Sequence, residues 1–386
     1  MENFDFYNPT KIIFGKDRLD ELDKLLKPND KVLILYGKGS IKKNGILDKV
    51  KAALKDRSII EFSGIEPNPS FETLMKAVDI VKYENITFLL AVGGGSVIDG
   101  TKFVNLAVNY NGTDAGELLM TPSTQSSVTT ALPMGTIITL PATGSEMNTN
   151  GVITYKNGKR VISSMLLFPI FSFIDPTQTF TLPKTQVANG VVDTFIHVIE
   201  QYLTYPAEGR FQDRMAEGIL LTLIEIGNKT IENPTDYDAR ANLSWCSTMA
   251  LNGLLSCGVP GDWSTHIIGH ELTAMFGIDH GKTLAILQPS IWDIRRNEKK
   301  AKLLQYAERV WNITDGDDNF RIDKAISSTR SFFESLGIGT HMSDYGITPD
   351  KIDDIVDALE THGHTAISET RDLTLDISRK ILTKSL

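Results

Sequence analysis

ITFLLAVGGGSVIDGTKFVNLAVNY, residues 86–110, is the stretch on which the fold turns. It opens with a continuous apolar run, passes through Gly93, Gly94 and Gly95, and continues with helical spacing. A run without polar alternation is the pattern of a strand buried on both faces, as in a parallel sheet covered by helices. Glycines at the end of such a strand let backbone N–H groups approach an anion closely, and the N-terminus of the helix that follows favours the same anion. The turn is not the G-x-G-x-x-G dinucleotide fingerprint, because Val97 and Ile98 follow Ser96. Asp99, three residues into the helix, is either an N-terminal helix carboxylate or a cofactor contact.

Working outward, the same alternation recurs. KIIFG (11–15), KVLILYG (31–37), RSIIEFSG (57–64), GTIITLPA (135–142) and IFSFID (170–175) read as strands. SIKKNGILDKVKAALKD (40–56) reads as one helix, and SFETLMKAVDIVKYEN (70–85) as another that starts at Ser70. GVITYKNGKRVISSM (151–165) reads as a hairpin turning at Asn157-Gly158. Strand–helix alternation predicts an α/β dinucleotide-binding domain with an open, mostly parallel, Rossmann-like sheet. Near residues 175–186 the character changes, and helical patterns dominate from there on. Two domains are expected, an α/β domain over 1–180 and an all-helical domain over 181–386.

Two further turns supplement the first. The strand ending at Tyr36 runs into Gly37, Lys38, Gly39 and Ser40, with no acidic residue to bind an adenosine ribose 2′-hydroxyl. Small residues, a hydroxyl and a lysine leave room for a 2′-phosphate, which favours NADP over NAD. TLPATGSEMN (139–148) places Thr139, Thr143 and Ser145 at another strand end, where hydroxyls can bond a pyrophosphate or a ribose. Lys159, on its own, reads as an exposed lysine of the hairpin.

Composition sets the outer bounds. The chain is 41% hydrophobic and 23% charged, with a net charge of -9 and no long basic block, which argues against nucleic acid or an anionic membrane as partner. No apolar run reaches the roughly 18 residues of a membrane helix. Cys246 and Cys257 are the two cysteines and read as reduced core thiols. With no signal-peptide pattern at the N-terminus, a soluble, cytoplasmic protein is expected.

The histidines carry the chemistry. GDWSTHIIGHELTAMFGIDHGK (261–282) holds His266, His270 and His280, three of the chain's 7 histidines, among apolar neighbours. In GVVDTFIHVIE (190–200), Asp193 and His197 are four apart, which on a helix puts both on one face with β-carbons about 6 Å apart. A carboxylate and imidazoles facing a core need a shared partner or one another. Asp193, His197, His266 and His280 together give one carboxylate and three imidazoles, a set suited to Fe(II), Zn(II), Ni(II) or Mn(II). HEL at 270–272 does not extend to H-E-x-x-H, since position 274 is Ala274. His341, His362 and His364 are expected at the surface.

With FYNPTKIIFGK, LILYGKGSIKKNG, AVGGGSVIDGTK, LPATGSEMN, PKTQVANGVVDTFIHVIEQY and GDWSTHIIGHELTAMFGIDHGKTLAI in view, the chain resembles the iron-containing (group III) alcohol dehydrogenases, of the NADPH-dependent butanol dehydrogenase and aldehyde reductase type. The resemblance implies an N-terminal dinucleotide-binding domain and a helical C-terminal domain of dehydroquinate synthase-like architecture. It implies Asp193, His197, His266 and His280 as metal ligands, with Fe(II) the family metal, and His270 as an additional histidine beside them with a catalytic role. It further implies that Gly94, Gly95 and Ser96 bind the pyrophosphate, that Thr139 and Thr143 line the cofactor cleft and Leu182 borders it, and that Gly37, Gly39 and Ser40 take the 2′-phosphate. Lys159 matches a cofactor-contacting lysine, against its reading as an exposed turn residue. The implied activity is hydride transfer between NADP(H) and a small aldehyde or primary alcohol, and the implied assembly a homodimer. The competing readings are a glycerol-type polyol dehydrogenase, a dehydroquinate synthase-like lyase, a metal-dependent hydrolase and an inactive nucleotide-binding protein. The lyase needs clustered Lys and Arg for an anionic substrate, and the segments around the histidines carry almost none.

Overall fold

Strand β2 (Val32–Tyr36) is buried at every position, and the reason lies in its neighbours. The computed structural model describes residues 1–386. In it β2 pairs in parallel with β3 (Ile59–Ser63) on one side and with β4 (Phe88–Gly94) on the other. With β1 (Lys11–Phe14), β5 (Met134–Leu140) and β8 (Phe171–Ile174), these form a six-stranded parallel sheet in the order β1-β8-β5-β4-β2-β3. Alternate residues feed two cores. Leu33, Leu35, Leu89 and Ala91 face one cluster, and Val32, Ile34, Tyr36, Phe88, Leu90 and Val92 face the other. This is why the strands read as unbroken apolar runs.

The helices cover both faces. α1 (Ser40–Lys43) and α2 (Ile46–Ala53) follow β2, and α2 buries Ile46, Leu47 and Val50 in the second cluster. The single helix expected over 40–56 is therefore two. Gly45 takes a left-handed φ of 77° between them, which no continuing helix allows. α3 (Phe71–Tyr83) starts where Ser70 caps the Thr73 N–H, and α3 and α4 (Gly95–Val108) pack on the first cluster. Short helices α5 (Glu117–Met120) and α6 (Pro122–Gln125) lead to β5. The hairpin is β6 (Asn150–Tyr155) with β7 (Gly158–Ser163), antiparallel and apart from the main sheet. Its two loop residues are Lys156 and Asn157, both at positive φ, so the turn sits one residue earlier than the sequence suggested.

The chain divides into two compact units, Tyr7–Leu182 and Pro183–Leu386 together with Met1–Phe6. The first six residues, which the sequence reading gave to the sheet domain, belong with the helical unit, where the Glu2 N–H bonds the Gly258 carbonyl at 2.9 Å. That unit contains α7 (Lys184–Tyr202), α8 (Arg210–Glu232), α9 (Tyr237–Ala250), α10 (Ser264–Phe276), α11 (His280–Ile294), α12 (Lys300–Trp311), α13 (Asp318–Ser335), α14 (Ile352–Thr361) and α15 (Leu375–Lys384). A two-residue ladder of β9 (Ala366–Ile367) and β10 (Leu373–Thr374) is its one departure from an all-helical domain. α7 is buried along almost its whole length, so the polar groups it carries must find partners inside the unit. Cys246 and Cys257 are free and buried, and burial pushes the Cys246 thiol up to about 12. No helix is long and apolar enough to cross a membrane.

Candidate cofactor turns and metal centre

In the sheet unit the topology itself selects a site. β2 and β4 are neighbours, yet β2 is followed by β3 on its far side and β4 by β5 on the opposite side. Such a reversal opens a crevice beyond the carboxyl ends of the two strands, where α/β proteins bind ligands. The turns Gly37–Gly39 and Gly93–Gly95 stand at those two ends. α4 begins at Gly95 with no side-chain cap, so the N–H groups of its first turn, Ser96 included, face the crevice end of the strand.

Each expected cofactor residue has a definite place. Gly39 carries a left-handed φ of 114°, and Lys38 beside it is exposed. Ser40 is the first residue of α1, and Leu182 is half-buried at the end of the unit. Gly93 pairs with Ile138 and Gly94 with Leu140, which makes Thr139 the extra residue of a β-bulge. Bulges re-aim a side chain, and Thr139 stands here at the end of the strand next to the glycine turn. Thr143 packs directly over Gly95 and accepts from the Ser145 N–H at 3.2 Å.

Asp99 is more occupied than the sequence suggested. Its Oδ1 accepts from Ser145 Oγ at 2.6 Å and its Oδ2 from the Val152 N–H at 2.9 Å. Asp99 thus ties α4 to the β5–β6 loop and to the hairpin. Burial raises its pKa, against the opposing pull of Lys102. Lys102, one helical turn on and fully buried, donates to Ser145 Oγ (2.9 Å), Asn148 Oδ1 (2.8 Å) and the Asn150 carbonyl (2.7 Å). The sequence reading missed Lys102, though its spacing of three from Asp99 in an otherwise apolar helix was the available signal. Lys159 is not an exposed turn residue. It is half-buried, bonds Thr154 Oγ1 at 3.1 Å, and burial lowers it to about 8 against the pull of Asp99.

The second group lies in the helical unit. Asp193 and His197 face one way on α7, His266 and His270 lie on α10, and His280 opens α11. Asp193, His197 and His266 are buried, while His270 and His280 are half-buried. One atom, Asp193 Oδ1, stands 3.7 Å from His197 Nε2, 3.6 Å from His266 Nε2 and 3.7 Å from His280 Nε2. These distances are too long for hydrogen bonds. They suit atoms that share an ion: ligand atoms about 2.1 Å from one centre stand roughly 3.4 Å apart at a tetrahedral angle. Asp193 Oδ1 and His266 Nε2 are buried and hydrogen-bond to nothing, a cost that a shared cation removes. The ligand atoms of Asp193, His266 and His280 all lie within 4.8 Å of one another. His197 stacks on His266 with ring centroids 4.6 Å apart, and His270 stacks on His280 at 5.1 Å.

The electrostatics agree with the donor set. Burial would raise the Asp193 pKa, but His197, His266 and His280 outweigh it and hold the carboxyl well below its usual range. Burial would lower His266, but Glu200 and Asp193 push it up to about 9. Carboxylates that raise the His266 imidazole in this way also attract a cation, and a bound metal displaces the proton from the ring nitrogen that holds it. Glu200 and Trp263, which flank the set, were not singled out from the sequence. Glu200 was legible, because Asp193, His197 and Glu200 share the i, i+4, i+7 face of α7. Among the remaining histidines, His362 is not at the surface: its Nδ1 is hydrogen-bonded to buried Glu271 at 2.7 Å. His341 and His364 are half-buried rather than exposed.

Residues 9–176 match the model of the iron-containing alcohol dehydrogenases, and residues 187–385 match that of the family's C-terminal domain. The chain is 53% identical over 384 residues to the NADPH-dependent aldehyde reductase YqhD of Escherichia coli, covering 99% of each. It is 42% identical over 360 residues to the NADH-dependent butanol dehydrogenase A of Clostridium acetobutylicum, covering 92% of each. Its fold superimposes on a crystal structure of E. coli YqhD with a TM-score of 0.98 at 52% identity, covering 100% of this chain and 99% of that one. It superimposes on the NADH-dependent butanol dehydrogenase A of Thermotoga maritima with a TM-score of 0.94 at 36% identity, again covering 100% and 99%. A sheet unit with paired glycine turns, a helical unit with one carboxylate among imidazoles, and sequence matches across both units place this chain in the iron-containing alcohol dehydrogenase family.

Proposed function

We propose that the protein is a metal-dependent oxidoreductase that transfers hydride between NADP(H) and a small aldehyde or primary alcohol, working as an aldehyde reductase of the butanol dehydrogenase type. The observation that carries this is the convergence of three imidazole Nε2 atoms, at 3.6–3.7 Å, on one buried carboxylate oxygen that has no hydrogen-bond partner. When bound, a divalent metal supplies Lewis-acid polarisation of a carbonyl oxygen, and the reduced nicotinamide supplies the hydride.

The chain's own residues do the holding and positioning. Asp193, His197, His266 and His280 hold the ion, with Fe(II) as the family metal and Zn(II) or Ni(II) compatible with the same donors. Gly94, Gly95 and Ser96 bind the pyrophosphate at the α4 N-terminus, with Thr139 and Thr143 beside it. Asp99 fixes the β5–β6 loop rather than reaching out to the cofactor with a free oxygen. Gly37, Gly39 and Ser40 take the adenosine side, where Lys38 is exposed and no carboxylate follows β2, so the 2′-phosphate of NADP is attracted rather than repelled. Lys159 contributes positive charge to the cofactor, and Leu182 an apolar edge. The proton taken up by the product oxygen would come through water, the cofactor ribose hydroxyls or His270, which stacks on His280 at 5.1 Å.

Buried, reduced thiols suit a cytoplasmic protein. β1 is an edge strand whose outer backbone groups a second copy can pair, which supports a homodimer. The test is NADPH oxidation with butanal before and after chelation, with Fe(II), Zn(II) and Ni(II) restored singly and NADH in parallel. Activity lost on chelation and restored by a metal is expected. A metal-loaded protein that turns over no member of a broad aldehyde panel would overturn the reading.

A further inference from the structure

Helix α10, which carries His266, begins abnormally. Its N-cap is Trp263, a bulky residue at φ 60°, and it has no side-chain cap. A residue of this kind in the left-handed region is strained and persists only where its surroundings hold it. The N–H groups of the first helical turn then need acceptors from elsewhere.

Asp262 Oδ1 accepts from the Ser264 N–H at 3.2 Å, and Glu200, seven residues after Asp193 on α7 and 2% exposed, supplies the next acceptor. Its Oε1 accepts from the Thr265 N–H at 2.6 Å. Its own backbone carbonyl accepts from the Asp262 N–H at 2.8 Å. Its Oε2 is hydrogen-bonded to Nδ1 of His266. One residue thus grips α10 at Thr265 and His266 and the chain before its cap at Asp262, on both sides of Trp263. The grip is backed from behind, because Asp262 pairs at 2.8 Å with the buried Lys299, which also pairs with Glu369 at 2.9 Å and donates to the Leu203 carbonyl at 2.8 Å.

We infer that Glu200 is a positioning residue that acts through His266, presenting the Nε2 lone pair to the metal. The inference rests on the metal-centre reading above. A carboxylate on Nδ1 keeps the ring hydrogen there, so the lone pair of the neutral ring lies on Nε2. That is the atom left without a hydrogen-bond partner 3.6 Å from Asp193 Oδ1. Because Thr265 anchors the other oxygen, the carboxylate cannot turn away, and the ring is fixed in rotation as well as in tautomer. Glutamine at this position either accepts from Thr265 and turns its amide donor toward His266, or gives His266 a weaker neutral acceptor and loses the Thr265 bond.

The test is Zn2+ affinity, measured by competition with a chromophoric chelator, for wild type, Glu200→Gln and Glu200→Asp. NADPH affinity and the Tm of the metal-free proteins are measured alongside. Losing the carboxylate behind a metal-bound histidine weakens metal affinity about 10- to 100-fold. That loss is expected in Glu200→Gln, with NADPH affinity unchanged, and a smaller one in Glu200→Asp, which keeps the charge but shortens the reach. A folded variant with lowered Tm and Zn2+ affinity within threefold of wild type would make Glu200 a helix cap only and overturn the inference. Glu200→Asp decides the matter should Glu200→Gln not fold. Wild-type protein with no measurable Zn2+ binding would instead overturn the metal centre itself, and this role with it.

Discussion

Thr143 fills the space that a β-carbon on Gly95 would need: its Cγ2 lies 2.6 Å and its Cβ 3.0 Å from that position, and its hydroxyl is closer still. The first residue of α4 is therefore glycine for a packing reason, quite apart from the pyrophosphate contact proposed for it. Gly95→Ala forces Thr143 or the helix start to move, an overpacking that costs about 1–3 kcal/mol. NADPH binding, followed by nicotinamide fluorescence, is expected to weaken by at least tenfold. Adding Thr143→Ala removes the Cγ2 and hydroxyl clashes but leaves the Cβ, so the double variant should recover stability only in part. A Gly95→Ala protein that binds NADPH like wild type would show that the cofactor does not approach this turn.

His266 joins two demands, since Nε2 faces Asp193 and Nδ1 faces Glu200. His266→Ala is expected to abolish aldehyde reduction and to reduce metal content measured by inductively coupled plasma spectrometry. It leaves NADPH binding intact, because no cofactor turn lies in the helical unit. It also strands Glu200 in the interior, which costs about 1–3 kcal/mol in urea unfolding. Turnover at the wild-type rate in this variant would refute the ligand assignment.

How much of this could be read beforehand follows from which interactions are local. The strand runs, the Ser70 cap and the i, i+4 spacing of Asp193 and His197 are set by neighbours in sequence, and each was legible. Ladder position was not: nothing in KVLILYG says that β2 lies between β3 and β4, and it is that order which puts two glycine turns at one crevice. The buried cations were the other gap. Lys299 and Arg240 look like ordinary surface charges in sequence, and for Lys102 the spacing from Asp99 hinted at burial without naming its acceptors, yet the structure buries all three. Acceptors for Lys102 come from 43 to 48 residues away, and those for Lys299 from up to 96, beyond any local pattern. Lys159 failed for a related reason, since a lysine beside a tight turn is usually solvated and here the hairpin folds over Asp99. Gly45 was in plain view in the predicted helix over 40–56 and should have split it.

Lys102 is the test of that buried polar cluster. Burial pushes its ammonium down to about 7, with Asp99 and Glu146 pulling the other way. Its three acceptors hold the 145–150 segment against α4. Lys102→Met leaves those three buried acceptors without a donor and removes the nearby positive charge from Asp99, a change that costs about 1–3 kcal/mol for buried groups left unsatisfied. The urea midpoint should fall accordingly, and NADPH affinity should fall with it as the Thr143–Ser145 loop loosens. Zn2+ affinity, which depends on the other unit, should stay at the wild-type value. Unchanged stability would mean that the lysine is neutral and its hydrogen bonds dispensable.

With the cofactor role proposed for it, Lys159 would make NADPH binding sensitive to pH in a range where no free lysine titrates. Its pKa in the free protein is lowered to about 8 by burial, while Asp99 keeps it from falling further. Below about 8 the side chain is protonated and its charge is available to a cofactor phosphate. Above about 8 it is neutral and that attraction is lost unless binding restores the proton. The dissociation constant for NADPH should therefore rise between pH 7 and pH 9, by up to tenfold per unit once the group is fully deprotonated. Binding at pH 8 should take up a fraction of a proton, measurable by calorimetry in buffers of different ionisation enthalpy. Lys159→Met should bind NADPH more weakly at pH 7, show little change up to pH 9 and take up no proton, so that the two proteins converge at high pH. Parallel profiles for the two proteins would remove Lys159 from the cofactor site and return it to the hairpin as a structural residue.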